Sequence, residues 1–409
     1  MANEIREKIR IYQNDTTVAL TGNKVNSVRF FEKEERGYRI QRNGYIGIAG
    51  IVGDCEEAVM WQKAADNLEH QIPYDVTPTP VHQEIIDMST ELMDSSAFVQ
   101  TVEQLLDKLA KEFPRFIFSN NISMKKTVSE WSNNQGTELI SKDGYYQVVL
   151  IIKEKSSANI VDVLYAVNNR QYNEAAILFD LHQLLDHYHT IIDITEGEYP
   201  IITPFFNVGM KLFQDMRGDL YATGASMLAG KVGQELFHPQ FTLYTDKNPH
   251  TTFGVSFFDA EGIVNDGYRY KLIDQGKLIA PYVSKKEAKR FHLTMTGSAV
   301  CEYDSVPTIG EEEFYLEQGS LSIADFTKSQ KAIYVAMASG GDTTSSGDFA
   351  SPVQLAYLVE DGKIIGRLPE IGLAGNIFNM FGKDYIGVPC DSLFKYSAQQ
   401  VIVKMKVSL

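Results

Sequence analysis

The residues able to do chemistry are few and scattered. Three of the eight histidines fall together in "DLHQLLDHYH", as His182, His187 and His189. On one helix, residues five apart are poorly placed to share a metal, so these imidazoles read as helix-end groups facing the dipole. No HExxH or CxxC spacing is present. The hydroxyl-rich stretch "ASGGDTTSSGDFASP" (338–352) offers Ser345, Ser346 and Asp348 but lacks the Gly-Lys-Ser/Thr ending of a phosphate loop and the G-x-S-x-G of a nucleophile elbow. It reads as a loop shaped by small residues, Gly347 among them. In "TMTGSAVCEYDSVPT" (294–308), Thr296, Gly297 and Ser298 precede a Pro-containing loop. Backbone N–H and C=O groups there could accept an extended peptide as an added strand. The last candidate is "PFFNVGMKLFQDMRGDLYATG" (204–224), a helix opened by Pro204 and closed at Gly218. Phe205, Val208, Leu212 and Met216 share one face, and the segment holds no His, Cys or Glu.

The elements that position these residues divide the chain in two. Residues 10–52 alternate apolar and polar, with turns at Gly22-Asn23 and Asn43-Gly44. Helices are expected over 54–70, with Asp54 as N-cap, over 95–113 and over 173–189, around a second run of strands from 115 to 167. After "ITEGEYP" (194–200) the pattern is strand upon strand, with hairpins at Gln275-Gly276 and Asp361-Gly362. The expected fold class is α+β. Residues 1–193 form an N-terminal unit of antiparallel sheets with packed helices, and residues 194–409 form a β-rich sandwich or barrel-like unit.

Composition narrows the function classes. Lys+Arg 38 against Asp+Glu 53 gives a net charge of −15, which opposes binding to phosphate backbones. The basic cluster "SKKEAKRF" (284–291) reads as a solvated helix face rather than a nucleic-acid patch. No apolar run is long enough to cross a membrane, and the N-terminus "MANEIREKIR" does not resemble a secretory signal. Cys55, Cys301 and Cys390, odd in number and far apart, suit free thiols in a reducing cytoplasm.

Several segments taken together resemble the TldD/PmbA (TldE) family, once labelled modulators of DNA gyrase. The match lies in "FFDAEGIVNDGYRYKLIDQGKLIAPYVSKKEAKRF", then "TGSAV", then "SSGDFASPVQLAYLVEDGKIIGRLPEIGLAGNIFNMFGKD". The resemblance implies a metallopeptidase system. One subunit type, TldD, carries a His-Glu-x-x-x-His helix and a distant Cys that hold zinc. The other, TldE or PmbA, shares the fold without them and pairs with it to act on unfolded or precursor peptides.

Laid on that pattern, the metal positions fall at Gly209, Met210 and Gln214, and the cysteine position at Phe381. Glycine has nothing to ligate with, and a Gln amide is a poor donor beside imidazole. The resemblance therefore implies a TldE-like partner subunit with no catalytic residue, metal or cofactor of its own. Its partners would be a TldD-like zinc-bearing subunit and an extended peptide, with a homodimer possible when it is alone. Thr296–Ser298 and Ser345–Asp348 are the expected peptide contacts. Three rival readings are a stand-alone hydrolase using Ser345 or Ser346 or a metal bound by unrelated residues, a non-enzymatic homodimer that binds peptide or protein, and direct regulation of a DNA enzyme, which the acidic charge disfavours.

Overall fold

The computed structural model describes residues 4–89, 92–310, 313–396 and 398–409. Its first large sheet is eight-stranded. The path runs Ile72–Pro73, Tyr45–Val52, Lys24–Arg42, Ile5–Thr21, Phe116–Asn133 and Glu138–Glu154. Glu138–Glu154 then pairs with both Gln83–Ser89 and Val163–Asn169. The pairing is antiparallel except at Gln83–Ser89, which runs parallel to its neighbour. The expected turns are there: Gly22 and Asn23 (φ 60° and 65°) and Asn43 and Gly44 (φ 52° and 81°) hold the left-handed conformation that tight hairpins require.

Helix Ser95–Glu112 lies on this sheet. Asp94 caps it by accepting from the N–H groups of Ser96 and Ala97, and Phe98, Val102, Leu105, Leu106 and Leu109 form its buried stripe. Helix Glu174–Leu185 is capped by Asn173 and ends earlier than the sequence pattern suggested. The first helix runs Glu57–Asp66 and continues as a 3-10 turn over Asn67–His70. Its N-cap is Glu56 with no side-chain cap, while the expected cap Asp54 is exposed and pairs with Arg36 at 3.1 Å.

The second large sheet closes on itself. Ala332–Ala338 pairs with Gly197–Pro204, then Gln400–Ser408, Ile371–Asn376 and Asp348–Glu360 follow, and the last strand pairs back to Ala332–Ala338. The ring is a five-stranded barrel, as the barrel-like expectation held. Both faces of its strands are buried, so neighbouring residues go to different cores. Ile201, Ile333, Val335, Ala356, Leu358, Val401 and Val403 fill one core with helix Phe205–Asp215. Ile202, Tyr334, Tyr357, Val359 and Ile402 face the other, packed with residues of helices Ser95–Glu112 and Glu174–Leu185. That second core crosses residue 193, so the two halves share apolar packing.

Candidate functional site

Strand Gly197–Pro204 runs directly into helix Phe205–Asp215, with the Phe205 N–H bonded to Gln399 O at 3.1 Å. The barrel therefore fixes where the helix starts. Phe205, Val208, Leu212 and Met216 are all buried, as their spacing predicts. Phe205 meets Phe213 edge-on at 5.0 Å between centroids, and Phe381 at 5.5 Å. Phe381 stacks on Phe241 at 4.9 Å and is wholly buried. A Cβ on Gly209 would come within 2.8 Å of Phe213 Cζ and 3.0 Å of Phe205 Cε2. Gly209 and Phe381 thus converge on the Phe205 ring. Met210 borders the same apolar core, and Gln214 is exposed.

These four positions do not fit a zinc ion. The room that a side chain at 209 would need is filled by aromatic rings, and Phe381, where the resemblance would set the cysteine, is packed in the core. Neither a thioether nor a lone amide replaces an imidazole pair. Among the described residues, no group of three or more His, Cys, Asp or Glu side chains could hold a metal ion. Of the histidines near residue 185, His182 bridges Glu112 (3.1 Å) and Asp186 (3.0 Å). His189 packs against Phe116 and Tyr188, and its burial lowers its pKa.

The loop Ser345–Asp348 lies in this same neighbourhood. Gly347 O accepts from Ile377 N at 2.8 Å, at the start of the short helix Ile377–Met380 that leads to Phe381. A Cβ on Gly347 would contact Met227, whose N–H bonds Asp215 at 3.2 Å. Asp348 organises the loop. It accepts from Asn376 Nδ2 (2.9 Å), Ser346 Oγ (2.9 Å) and Thr344 Oγ1 (3.2 Å), and these bonds, Asn376 first, lower its pKa. A carboxylate so stabilised is a weak base for activating Ser346. Ser345 and Ser346 are exposed.

Thr296–Ser298 are placed otherwise than expected. Both hydroxyl side chains are fully buried, and they bond each other at 2.9 Å. Ser298 N donates to Val283 O, Gly310 N donates to Ser298 O, and Asn265 Nδ2 donates to Thr296 O. Gly297 has φ 68°, and a Cβ there would lie 2.8 Å from Ile263. The segment is an inner brace, not a free edge. It holds Tyr282–Val283, whose Tyr282 N bonds Met216 O at 2.8 Å just past the end of helix Phe205–Asp215.

The sequence reading also missed a buried charge network under "FFDAEG". Asp259 accepts from the N–H groups of Glu261 (2.9 Å), Ile263 (2.8 Å) and Ala299 (3.1 Å). Glu261 accepts from Tyr74 OH (2.5 Å) and Lys285 N (2.8 Å). Burial, reinforced by the Asp259 charge, pushes its pKa up to about 7. Lys285 Nζ donates to Thr79 Oγ1 at 2.5 Å and is buried, although "SKKEAKRF" reads as a solvated face. Arg39, fully buried, donates to Ala260 O at 2.8 Å and to Cys301 Sγ at 2.5 Å. The signal available in the sequence was the Asp-x-Glu-Gly pattern itself. Gly262, at φ 72°, lies flat against Trp131, leaving no space for a Cβ.

Comparison with known proteins places the chain. Residues 196–405 match the profile of the PmbA/TldA metallopeptidase C-terminal domain. The chain belongs to the PmbA/TldD family. An uncharacterized protein of Methanocaldococcus jannaschii is 23% identical over 393 residues, covering 92% of this chain and 89% of that one. A zinc metalloprotease TldD homolog of Saccharolobus solfataricus is 23% identical over 281 residues, covering 63% and 61%. In three dimensions the chain is similar to TldE from Thermococcus kodakarensis, with TM-score 0.83, 17% identity and coverage of 99% and 97%. The family is metalloprotease-related, and at that identity the structural likeness speaks for the fold. Among the described residues no helix is long and apolar enough to cross a membrane.

Proposed function

We propose that this member of the family is a TldE-like subunit, non-catalytic alone, that pairs with a TldD-like zinc-bearing subunit and helps bind extended or unfolded peptides. One observation carries the reading. The positions where the family's zinc ligands would stand are Gly209, Met210, Gln214 and Phe381, and the first and last are consumed by the Phe205 aromatic cluster. With no ligand set and no paired nucleophile and base, nothing at this site can activate water. Peptide contact is assigned to the exposed Ser345–Asp348 loop, while Thr296–Ser298 brace the helix from behind. The loop would offer hydroxyls and backbone groups, a chemistry suited to main-chain recognition without strong sequence preference.

The test is reconstitution. The chain alone should leave an unfolded peptide intact, and addition of a TldD-like subunit should give chelator-sensitive cleavage. Cleavage by the chain alone, or about one tightly held zinc per chain after metal loading, would overturn the reading. Replacing Asp348 by alanine should raise the pair's KM for peptide several-fold and lower the melting temperature of the chain only slightly, because Asp348 orders the loop and also holds Asn376, the N-cap of helix Ile377–Met380. An unchanged KM would remove this loop from the peptide site.

A further inference from the structure

The chain crosses from one edge of the first sheet to the other in residues 74–82, between the edge strands Ile72–Pro73 and Gln83–Ser89. This strap has no regular secondary structure, and Pro78 and Pro80 remove backbone donors from it. Its side chains are mostly exposed. Tyr74 and Thr79 are buried, at 2% and 5% exposure, and both end in the network of Asp259, Glu261 and Lys285. Tyr74 OH donates to Glu261 Oε1 (2.5 Å). Thr79 Oγ1 donates to Glu261 O (2.9 Å) and accepts from Lys285 Nζ (2.5 Å). Other ties of the strap are Tyr74 N to Gly44 O (2.8 Å), Thr137 Oγ1 to Pro80 O (3.2 Å) and the ion pair of Asp75 with Lys289 (2.6 Å).

The charges of the network do not balance. Glu7, Asp259 and Glu261 are each at most 3% exposed, and the buried cations among the described residues are Arg39 and Lys285. Three carboxyl groups face two cations. An uncompensated buried charge is costly, so the cluster retains a proton. Tyr74 and Cys301 also face it, and burial raises the pKa of both, so neither adds a negative charge.

Geometry selects the carboxyl group that holds the proton. Asp259 accepts three backbone N–H groups. Glu7 accepts from Gln41 Nε2 (2.6 Å) and has Arg39 Nη1 at 3.7 Å. Among the described residues no Lys or Arg side chain pairs with the carboxyl group of Glu261, because Lys285 Nζ is engaged by Thr79 and by Glu261 O (3.1 Å). Burial and then the Asp259 charge place the Glu261 pKa at about 7. Burial also raises that of Glu7, against the pull of Arg39 and Lys285.

We propose that residues 74–82 are a proton-held latch: with Glu261 neutral the strap lies closed over the seam between the first sheet and segment 257–301, and when Glu261 ionises the strap lifts at Tyr74 and Thr79 and water reaches the carboxylate. Water then replaces the Tyr74 hydroxyl as donor. The strap is the element that yields. Glu7 and Arg39 sit on ladder strands and Lys285 on a helix, whereas the strap belongs to neither kind of element. The inference concerns local opening and stands whether or not the chain pairs with a zinc-bearing subunit.

The sign of the effect follows. The closed form holds the Glu261 proton up to about pH 7, and the open form releases it at about 4.3. The strap is therefore most firmly shut below the lower value. Its opening constant rises with pH between the two and levels off above about 7.

Hydrogen exchange of the full chain, followed by mass spectrometry over pH 5 to 8, tests the latch. The Tyr74 N–H reports strap opening, and comparing wild type with Glu261→Gln at each pH cancels the intrinsic exchange chemistry. The wild-type opening constant should rise relative to the variant by up to about a hundredfold across this range. Amides of strand Glu138–Glu154 should keep a constant ratio between the two proteins. If Glu261→Gln fails to fold, Glu7→Gln decides. It leaves two carboxyl groups against two cations, so strap opening, corrected for intrinsic exchange, should rise less with pH than in wild type. A pH-independent ratio at Tyr74, an equal change in strand Glu138–Glu154, or an undiminished rise in Glu7→Gln would each overturn the proposal.

Discussion

Gly209 lies against the aromatic cluster of helix Phe205–Asp215. A side chain there would have to displace the rings of Phe205 and Phe213. Gly209→Ala should therefore destabilise the chain by about 1–3 kcal/mol through overpacking. Phe381→Ala should cost about 3–5 kcal/mol by opening a cavity among the same rings. Urea unfolding checks both, and a neutral Gly209→Ala would mean the cluster is looser than these contacts imply. The apolar face of this helix was legible because Phe205, Val208, Leu212 and Met216 recur at helical spacing. The roles of Thr296 and Ser298 were not legible. Small hydroxyl residues look alike in sequence whether they meet solvent or, as here, bond Val283 and each other. Lys285 was hidden for a similar reason: a lysine in a charged run looks solvated until the chain folds over it.

At the scale of elements, local chemistry was the readable part. Gln275-Gly276 and Asp361-Gly362 make the expected hairpin turns, with φ 48° and 82°, and 47° and 71°. The parallel pairing of Gln83–Ser89 was not readable, because parallel partners are set by tertiary packing rather than by a turn. The buried network that docks segment 257–301 beside the first sheet also lay beyond local pattern. Its pH dependence is a test of that docking. Glu261 holds its proton up to about pH 7 in the fold, first because of burial and then because of Asp259. Unfolded, it would titrate at about 4.3. The folded state binds this proton more tightly, so the contribution is fully present below the ordinary value and is lost as pH rises through about 7. Glu261→Gln removes that dependence. Between pH 5 and pH 8 the wild type should lose stability relative to the variant, on the order of 3 kcal/mol at most. Parallel denaturation curves that keep a constant spacing across this range would show that Glu261 is charged throughout.

The whole molecule is organised by a barrel buried on both faces. That explains why its strands read as near-continuous apolar runs and why helices from the first half must cover it. The barrel-like class was legible from strand density and turn spacing. Its closure, through Ala332–Ala338 pairing with both Gly197–Pro204 and Asp348–Glu360, was not, since closure joins segments far apart in sequence. Closure removes edges from the barrel, so association with a partner must use side chains rather than strand addition at the barrel itself. Helix Phe205–Asp215 offers such a surface. Phe206 is 65% exposed beside the half-buried Asn207, on the element that the pairing proposal concerns most directly. A stable interface on this acidic chain should be large and apolar at its centre, burying at least ~2,000 Å². An exposed aromatic at such a centre is a typical energetic anchor. Phe206→Asp should therefore abolish co-purification with a TldD-like subunit, and any self-association seen by sedimentation at micromolar concentration. Its melting temperature should stay at the wild-type value, because the side chain makes little internal packing. Retained pairing in that variant would move the interface to another face. A wild-type chain that stays monomeric even beside the zinc-bearing subunit would end the partner-subunit proposal.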